Sequence, residues 1–168
     1  MNNEKEGNRS FLRGKKGKYL VLLQFLIVAA FILLPVWNPS PLDNIAESTR
    51  QLRLFVSALC GIIALLFGSF GSYKLRKYLT PLPYPVDHSK LVQTGVYRLV
   101  RHPLYSSQLF AGFGWAFYSL SLSHLLLLIG AFFFFSLKAN IEETWLRERH
   151  PEYREYARRV RKFIPFIY

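Results

Sequence analysis

The sequence predicts an all-α, polytopic membrane protein with four transmembrane helices and a cytoplasmic C-terminal helical segment. Three observations carry this prediction. About half of the residues (51%) are hydrophobic, they are gathered into long blocks, and the basic residues behind a formal net charge of +12 lie between the blocks. A strongly positive charge also occurs in nucleic-acid-binding proteins, but the apolar blocks favour a membrane. The length of 168 residues predicts one domain over residues 19–168, behind a basic tail over residues 1–18.

The first predicted elements are this tail and a first span over about residues 19–37. The tail carries six Lys and Arg residues, which would hold it near anionic lipid. A charged start before an apolar run also resembles a signal peptide. The run ends in Leu34-Pro-Val-Trp-Asn38 without a small-residue cleavage pattern, so we predict a retained helix. A polar loop over residues 38–51 follows.

Small residues four positions apart characterise the second predicted span, over about residues 54–73. Such residues let membrane helices approach each other closely. One such pair is Ser57 and Gly61, and a second series with the same spacing is Ala64, Gly68 and Ser72. A cytoplasmic loop over residues 74–103 follows. Its segment 80–85 contains three prolines, which predict an extended, non-helical course.

Pro103 is predicted to open the third span, over about residues 104–120. Proline suits the first turn of a helix because its missing N–H is not needed there. The residue before a proline avoids the α region, so His102 should be the last non-helical residue. Arg101 and His102 would then lie at the positive end of a helix dipole, which is an anion site. The alternative is that Arg-His-Pro only anchors a helix end at headgroup depth.

The fourth span is predicted over about residues 122–138, after a tight turn at 119–123. No stop signal follows Lys138, so the helix should continue to about Glu148 and project Glu142 and Glu143 beside His102. Residues 139–168 form the predicted cytoplasmic segment. It contains an amphipathic helix over 152–162 and an apolar interfacial tail over 163–168.

The Lys and Arg counts predict that both termini are cytoplasmic. Six lie in the tail, six in the loop over 74–103 and eight after residue 137, against Arg50 and Arg53 in the loop between the first two spans. Four spans place the three segments that are rich in Lys and Arg on the inner side of the membrane. Cys60 is the single cysteine and lies in an apolar run, where a buried thiol is the simplest interpretation. No Cys/His cluster has zinc-like spacing, so no metal site is predicted.

Three sequence blocks in the second half of the chain resemble the isoprenylcysteine carboxyl methyltransferase family, which includes many small bacterial membrane enzymes. The first block is Thr94-Gly-Val-Tyr-Arg-Leu-Val-Arg-His-Pro-Leu-Tyr105. The second is Glu142-Glu-Thr-Trp-Leu146. The third is Tyr153-Arg-Glu-Tyr-Ala-Arg-Arg-Val160, followed by Phe163-Ile-Pro165. The chain departs from the family at Ser107, where glycine is usual, and at His150-Pro151.

The resemblance implies S-adenosylmethionine as cofactor, S-adenosylhomocysteine as product and a lipophilic small-molecule or lipidated acceptor, in a bacterial inner membrane. It also implies site residues. Those nearest the cofactor would be Tyr97, His102, Pro103, Tyr105, Glu142 and Glu143. Those nearest the acceptor would be Arg159, Glu152 and Arg101.

The acceptor that we predict is a carboxylate, such as a prenylcysteine-like group. A carboxylate is already ionised and needs only desolvation and a cation such as Arg101 or Arg159 to hold it. An amine acceptor must first lose a proton, and no dedicated base stands out. The alternatives are a phospholipid or other amine N-methyltransferase, an NADPH-dependent membrane reductase of related fold, and a non-catalytic membrane scaffold.

Overall fold

The computed structural model describes residues 16–38, 43–76 and 91–168 of the chain. The predicted tail up to residue 15 and the proline-rich segment 80–85 lie outside these residues. The described part is helical, without β-strands beyond one isolated bridge. Its α-helices are α1 (Lys16–Leu33), α2 (Asp43–Ser48), α3 (Arg50–Leu75), α4 (Pro103–Ser119), α5 (Leu122–Arg149) and α6 (Tyr153–Arg159). A short 3₁₀ helix, Gly95–Arg98, precedes α4.

Two of the described helices, α3 and α5, are long and apolar enough to cross a membrane. Helix α1 adds a shorter apolar stretch, Tyr19–Leu33, and α4 has 17 residues. Large apolar side chains stand exposed along α1, α3 and α5, such as Phe25, Leu65 and Phe133. Exposed apolar surface of this extent marks contact with lipid rather than water. The prediction of an all-α membrane protein is therefore confirmed at this level, while four spans stay a prediction.

Small residues bring α3 and α4 into close contact, as the sequence predicts. The Ser57 hydroxyl donates to the Gly114 carbonyl at 2.8 Å, and a Cβ on Gly114 would lie 3.3 Å from the Ser57 carbonyl oxygen. A Cβ on Gly71 would meet Pro103 at 3.2 Å. Gly61 faces open space, so this member of the predicted pattern does not belong to the interface. The contact fixes where α4 begins relative to α3.

The predicted helix start at Pro103 is confirmed. Pro103 occupies the first turn of α4, and His102 has non-helical dihedrals (φ −125°, ψ 67°). At its other end α4 stops at Ser119, where Leu120 adopts a left-handed conformation. Helix α5 then runs unbroken to Arg149, so the predicted extension beyond Lys138 is also confirmed.

The predicted loop over residues 38–51 is wrong in part, because α2 occupies Asp43–Ser48 and α3 already begins at Arg50. The side chain of Arg53 explains the added helix: Nη2 donates to the Ala46 carbonyl at 2.5 Å, and Nη1 donates to the Tyr118 carbonyl. A cation at the C-terminal carbonyls stabilises a short helix. The helix at the predicted first span, α1, ends at Leu33, since Pro35 keeps the residue before it out of the α region.

The C-terminal segment returns to the start of α4. Its helix α6 is shorter than the predicted 152–162, because the chain beyond Arg159 becomes extended and pairs with residues 100–102. The Arg101 amide donates to the Arg161 carbonyl at 2.8 Å, and the His102 amide donates to the Lys162 carbonyl at 3.1 Å. Phe163 is fully buried against the bundle. The C-terminal segment thus forms one wall of the region around His102.

Candidate active site

Three segments meet at one end of the bundle: the start of α4, the last turns of α5 and the returning C-terminal segment. The meeting point contains a cluster of charged and aromatic side chains. They are Arg101, His102, Tyr105, Glu142 and Glu143, to which the sequence assigns site roles. Glu142 and Glu143 come from the part of α5 that extends past its apolar run, as the missing stop signal at Lys138 predicts.

Arg101 and Glu143 form the buried ion pair of this cluster. The Arg101 side chain is 11% exposed and that of Glu143 2%. Arg101 Nε and Nη2 donate to Glu143 Oε1 at 3.0 and 2.8 Å, while Nη1 donates to the carbonyls of Ala157 (3.0 Å) and Val160. Arg147 Nη2 donates to Glu143 Oε2 at 3.0 Å. Arg101 therefore ties α5 to the C-terminal segment, and its donors are taken up by these contacts.

Glu142 faces a different set of partners from Glu143. The Tyr105 hydroxyl donates to Glu142 Oε1 at 2.5 Å, and Glu142 Oε2 lies 3.6 Å from His102 Nδ1. His102 Nε2 lies 3.1 Å from Glu143 Oε1, so its ring bridges the two carboxylates. Oε2 of Glu142 has no partner closer than His102 among the described residues. This carboxylate therefore accepts a hydrogen bond at one oxygen and makes a longer contact with His102 at the other.

A stack of aromatic rings stands behind Glu142. The His102 and Tyr105 rings are nearly parallel with centroids 5.5 Å apart, and Tyr105 stacks on Phe135 at 5.0 Å. Phe163 meets His102 edge-on at 6.0 Å. Such a stack, whose rings are all buried, fixes the orientation of each ring. Together with Glu142 it combines an aromatic wall with a carboxylate.

Three buried tyrosines, Tyr97, Tyr153 and Tyr156, lie next to the cluster. The Tyr156 hydroxyl donates to the Tyr97 carbonyl at 2.6 Å and so attaches α6 to the 3₁₀ helix. Burial, and then the charge of Glu142, raise the pKa of Tyr97 to about 12, and burial raises the pKa of Tyr153 and of Tyr156. All three phenols stay protonated at neutral pH. The Tyr153 hydroxyl is buried without a hydrogen-bond partner among the described residues.

A second polar chain, which the sequence analysis missed, lies toward the apolar part of the bundle. Lys138 Nζ donates to Gln24 Oε1 at 2.5 Å, and Gln24 Nε2 donates to Gln108 Oε1 at 3.1 Å. Lys138 Nζ also lies 5.2 Å from the Tyr105 ring centroid. Gln24 is a single polar residue within an apolar run, and such a residue indicates a buried partner. That signal was present in the sequence.

The structure brings most of the predicted site residues together, but not all. Those that meet are Arg101, His102, Pro103, Tyr105, Glu142 and Glu143, with Tyr97 beside them. Arg159 and Glu152 lie on the outer face of the C-terminal segment. The Arg159 side chain is 65% exposed and 3.5 Å from Glu155, and that of Glu152 is 53% exposed and 3.6 Å from His150. Their roles at the acceptor stay predictions.

Ser107, which departs from the resembled family, lies at the helix interface. A Cβ on Gly68 would come within 2.9 Å of Ser107 Oγ, so the two positions compensate each other in size. The substitution therefore affects the contact between α3 and α4.

The fold and this cluster define a class: a helical membrane protein with a buried polar site at one end of its bundle. The chain belongs to the phospholipid methyltransferase family, whose sequence profile matches residues 52–152. The match covers nearly all of α3 and the whole of α4 and α5, and so includes the cluster.

Two curated rice proteins are similar to this chain. Both are described as probable protein-S-isoprenylcysteine O-methyltransferases, one from Oryza sativa subsp. indica and one from subsp. japonica. Each is 40% identical over 83 residues, which cover 48% of this chain and 44% of the relative. The chain thus spans about half the length of the curated relatives that it matches. The resemblance predicted from the sequence is confirmed by both comparisons.

Proposed function

We propose that this protein is an integral-membrane methyltransferase that uses S-adenosylmethionine and acts on a lipophilic acceptor, specifically a carboxylate such as a prenylcysteine-like group. The observation that carries the proposal is the convergence of His102, Tyr105 and Glu142, with the Tyr105 hydroxyl 2.5 Å from Glu142. Membership of the phospholipid methyltransferase family and the description of the rice relatives support it.

The chemistry of the cluster fits the cofactor. The Glu142 carboxylate suits a cationic group, and the buried ring stack of His102, Tyr105 and Phe135 fixes its position. The buried, unpartnered hydroxyl of Tyr153 has a donor to offer a polar ligand. Tyr97, Pro103 and Glu143 complete the proposed cofactor side. When bound, S-adenosylmethionine supplies a methyl group activated by its sulfonium, so that transfer to a carboxylate breaks one S–C bond, forms one O–C bond and moves no proton.

The chain's own contribution is then to hold both partners and to exclude water. Arg101 positions Glu143 and the C-terminal segment through the hydrogen bonds described above. Arg159 and Glu152 remain proposed for the acceptor side. The Arg159 side chain is largely exposed, so its role needs a test of its own. The test compares the turnover of Arg159→Lys with that of Arg158→Lys under saturating cofactor.

Amine methylation is the second candidate, because the matched family is described as phospholipid methyltransferases. An amine must lose a proton before it attacks, and His102 between two carboxylates is the residue placed to accept one. The acceptor chemistry therefore separates the two candidates.

A single experiment tests the proposed function. The purified protein in nanodiscs is titrated with S-adenosylhomocysteine and, separately, with NADPH. Labelled methyl transfer is then followed to an S-farnesylated N-acetylcysteine and, in parallel, to phosphatidylethanolamine. We expect cofactor binding and transfer to the first acceptor only. Transfer only to phosphatidylethanolamine supports the amine candidate. Binding of NADPH instead would indicate a reductase, and binding of neither cofactor a scaffold.

The proposed topology has four spans, formed by α1, α3, α4 and α5, with both termini in the cytoplasm of a bacterial cell. The 20 basic residues on the proposed inner side, against two on the outer side, motivate it. A reporter that is active only in the cytoplasm should be active when fused after Tyr168, and alkaline phosphatase there should be inactive. The reverse pattern contradicts a cytoplasmic C-terminus and so overturns the proposed orientation.

A further inference from the structure

Lys138 is a buried cation to which the proposed function so far gives no role. It lies one helical turn before Glu142 on α5 and is 3% exposed. Its ammonium is fixed by Gln24 of α1, and Gln108 of α4 holds the Gln24 amide in place. An ammonium withdrawn from water carries a large desolvation cost, so a buried lysine near a membrane span indicates a function.

The Lys138 ammonium retains donors that the structure does not use. An ammonium has three N–H donors, and Gln24 Oε1 accepts one of them at 2.5 Å. Among the described residues, Lys138 Nζ makes no salt-bridge contact and no second hydrogen bond, although the charge of Glu142, one turn further along α5, acts on the ammonium. The ring of Tyr105, 5.2 Å away, adds a cation–π contact on one side. The ammonium is therefore held in place and is still able to bind an anion.

The other cations considered for the acceptor are engaged elsewhere. Arg101 directs Nε and Nη2 at Glu143 and Nη1 at two backbone carbonyls. Arg159 lies on the exposed face beside Glu155. Lys138 lies instead against Tyr105, whose hydroxyl contacts Glu142 on the proposed cofactor side. It is also the first charged residue after the apolar run of α5, where the head of a lipophilic acceptor would lie.

We propose that Lys138 binds the anionic group of the acceptor, a carboxylate, on the membrane side of the Tyr105–Glu142 pair. The inference rests on the proposed function. During transfer the carboxylate oxygen gains the methyl carbon as the S–C bond breaks, and the acceptor becomes a neutral ester. The ammonium then loses its ion-pair partner, so the product is held more weakly than the substrate. Lys138 thus confers specificity for an anionic acceptor and favours release of the methylated one.

The test measures binding rather than turnover. Dissociation constants are determined in nanodiscs, at saturating S-adenosylhomocysteine, for an S-farnesylated N-acetylcysteine and for its neutral carboxamide. The parent protein should prefer the carboxylate by about ten- to a hundredfold, the usual effect of a charge-assisted hydrogen bond. Lys138→Met should bind both ligands equally. Lys138→Arg should keep most of the preference, and Lys74→Met, which removes an exposed lysine of α3, should keep all of it.

A second variant keeps the test decisive if Lys138→Met does not fold. Gln24→Glu would place a carboxylate about where Gln24 Oε1 now accepts the ammonium, and so would neutralise Lys138 without removing it. It should also lose the preference for the carboxylate. Binding of S-adenosylhomocysteine reports that each variant is folded. A purely structural tie between α1 and α5 would change stability in these variants but not the ratio of the two ligand affinities.

The outcomes separate this inference from the proposed function. A carboxylate preference that survives both Lys138→Met and Gln24→Glu overturns the role of Lys138 and leaves the methyltransferase proposal intact. A preference lost only in Arg159→Met also overturns it and assigns the acceptor to Arg159. A parent protein without any carboxylate preference overturns it as well, while its binding of S-adenosylhomocysteine still decides the proposed function.

Discussion

Arg101→Met is expected to destabilise the protein by about 3–5 kcal/mol, because it leaves the Glu143 carboxylate buried without its principal cation. It also removes the hydrogen bonds that attach the carbonyls of Ala157 and Val160 to the start of α4. The C-terminal segment should then separate from the bundle. The measurement is the free energy of unfolding in mixed micelles, with limited proteolysis of the C-terminal segment as a second readout.

The matched control is Arg98→Met, which removes an exposed arginine three residues earlier and should change stability by less than about 0.5 kcal/mol. The double variant Arg101→Met/Glu143→Met should be less destabilised than Arg101→Met alone, because no unpaired charge remains buried. If the double variant lost as much free energy of unfolding as the two single variants lose in sum, a buried ion pair at this position would be contradicted.

Glu142→Gln is expected to weaken binding of S-adenosylmethionine by about ten- to a hundredfold while the protein stays folded. Glutamine keeps the shape of the side chain, and its carbonyl still accepts from the Tyr105 hydroxyl. It removes the charge that would face the cationic groups of the cofactor. Isothermal titration of S-adenosylmethionine and of S-adenosylhomocysteine measures the effect, and a larger loss for the former places the carboxylate near the sulfonium.

Glu155→Gln serves as the control for this variant, since Glu155 is a highly exposed carboxylate on α6. Its removal should leave both affinities unchanged. If Glu142→Gln also binds both ligands like the parent protein, Glu142 does not belong to the cofactor site and the proposed position of the site is wrong.

The sequence by itself determined the positions of the helices and several of their ends, because these depend on local chemistry. The apolar blocks predict the helices, because a membrane helix needs a long run without charge. Pro103 determines where α4 begins and excludes His102 from the helix, since both effects depend only on the proline ring and its neighbours. The continuation of α5 past Lys138 is equally local. These features bring Glu142 and Glu143 to the end of the bundle that holds His102.

Only the tertiary structure decided which partner each of these residues takes. Glu142 and Glu143 are neighbours in sequence but point about 100° apart around a helix, so one meets Tyr105 and the other meets Arg101. The sequence offered Arg101 and Arg159 as free cations, whereas packing engages the first and exposes the second. Lys138 and Gln24 are 114 positions apart, and their contact depends on how α1 packs against α5. Helical periodicity is a property of neighbouring residues, and pairing across helices is a property of the whole packed bundle.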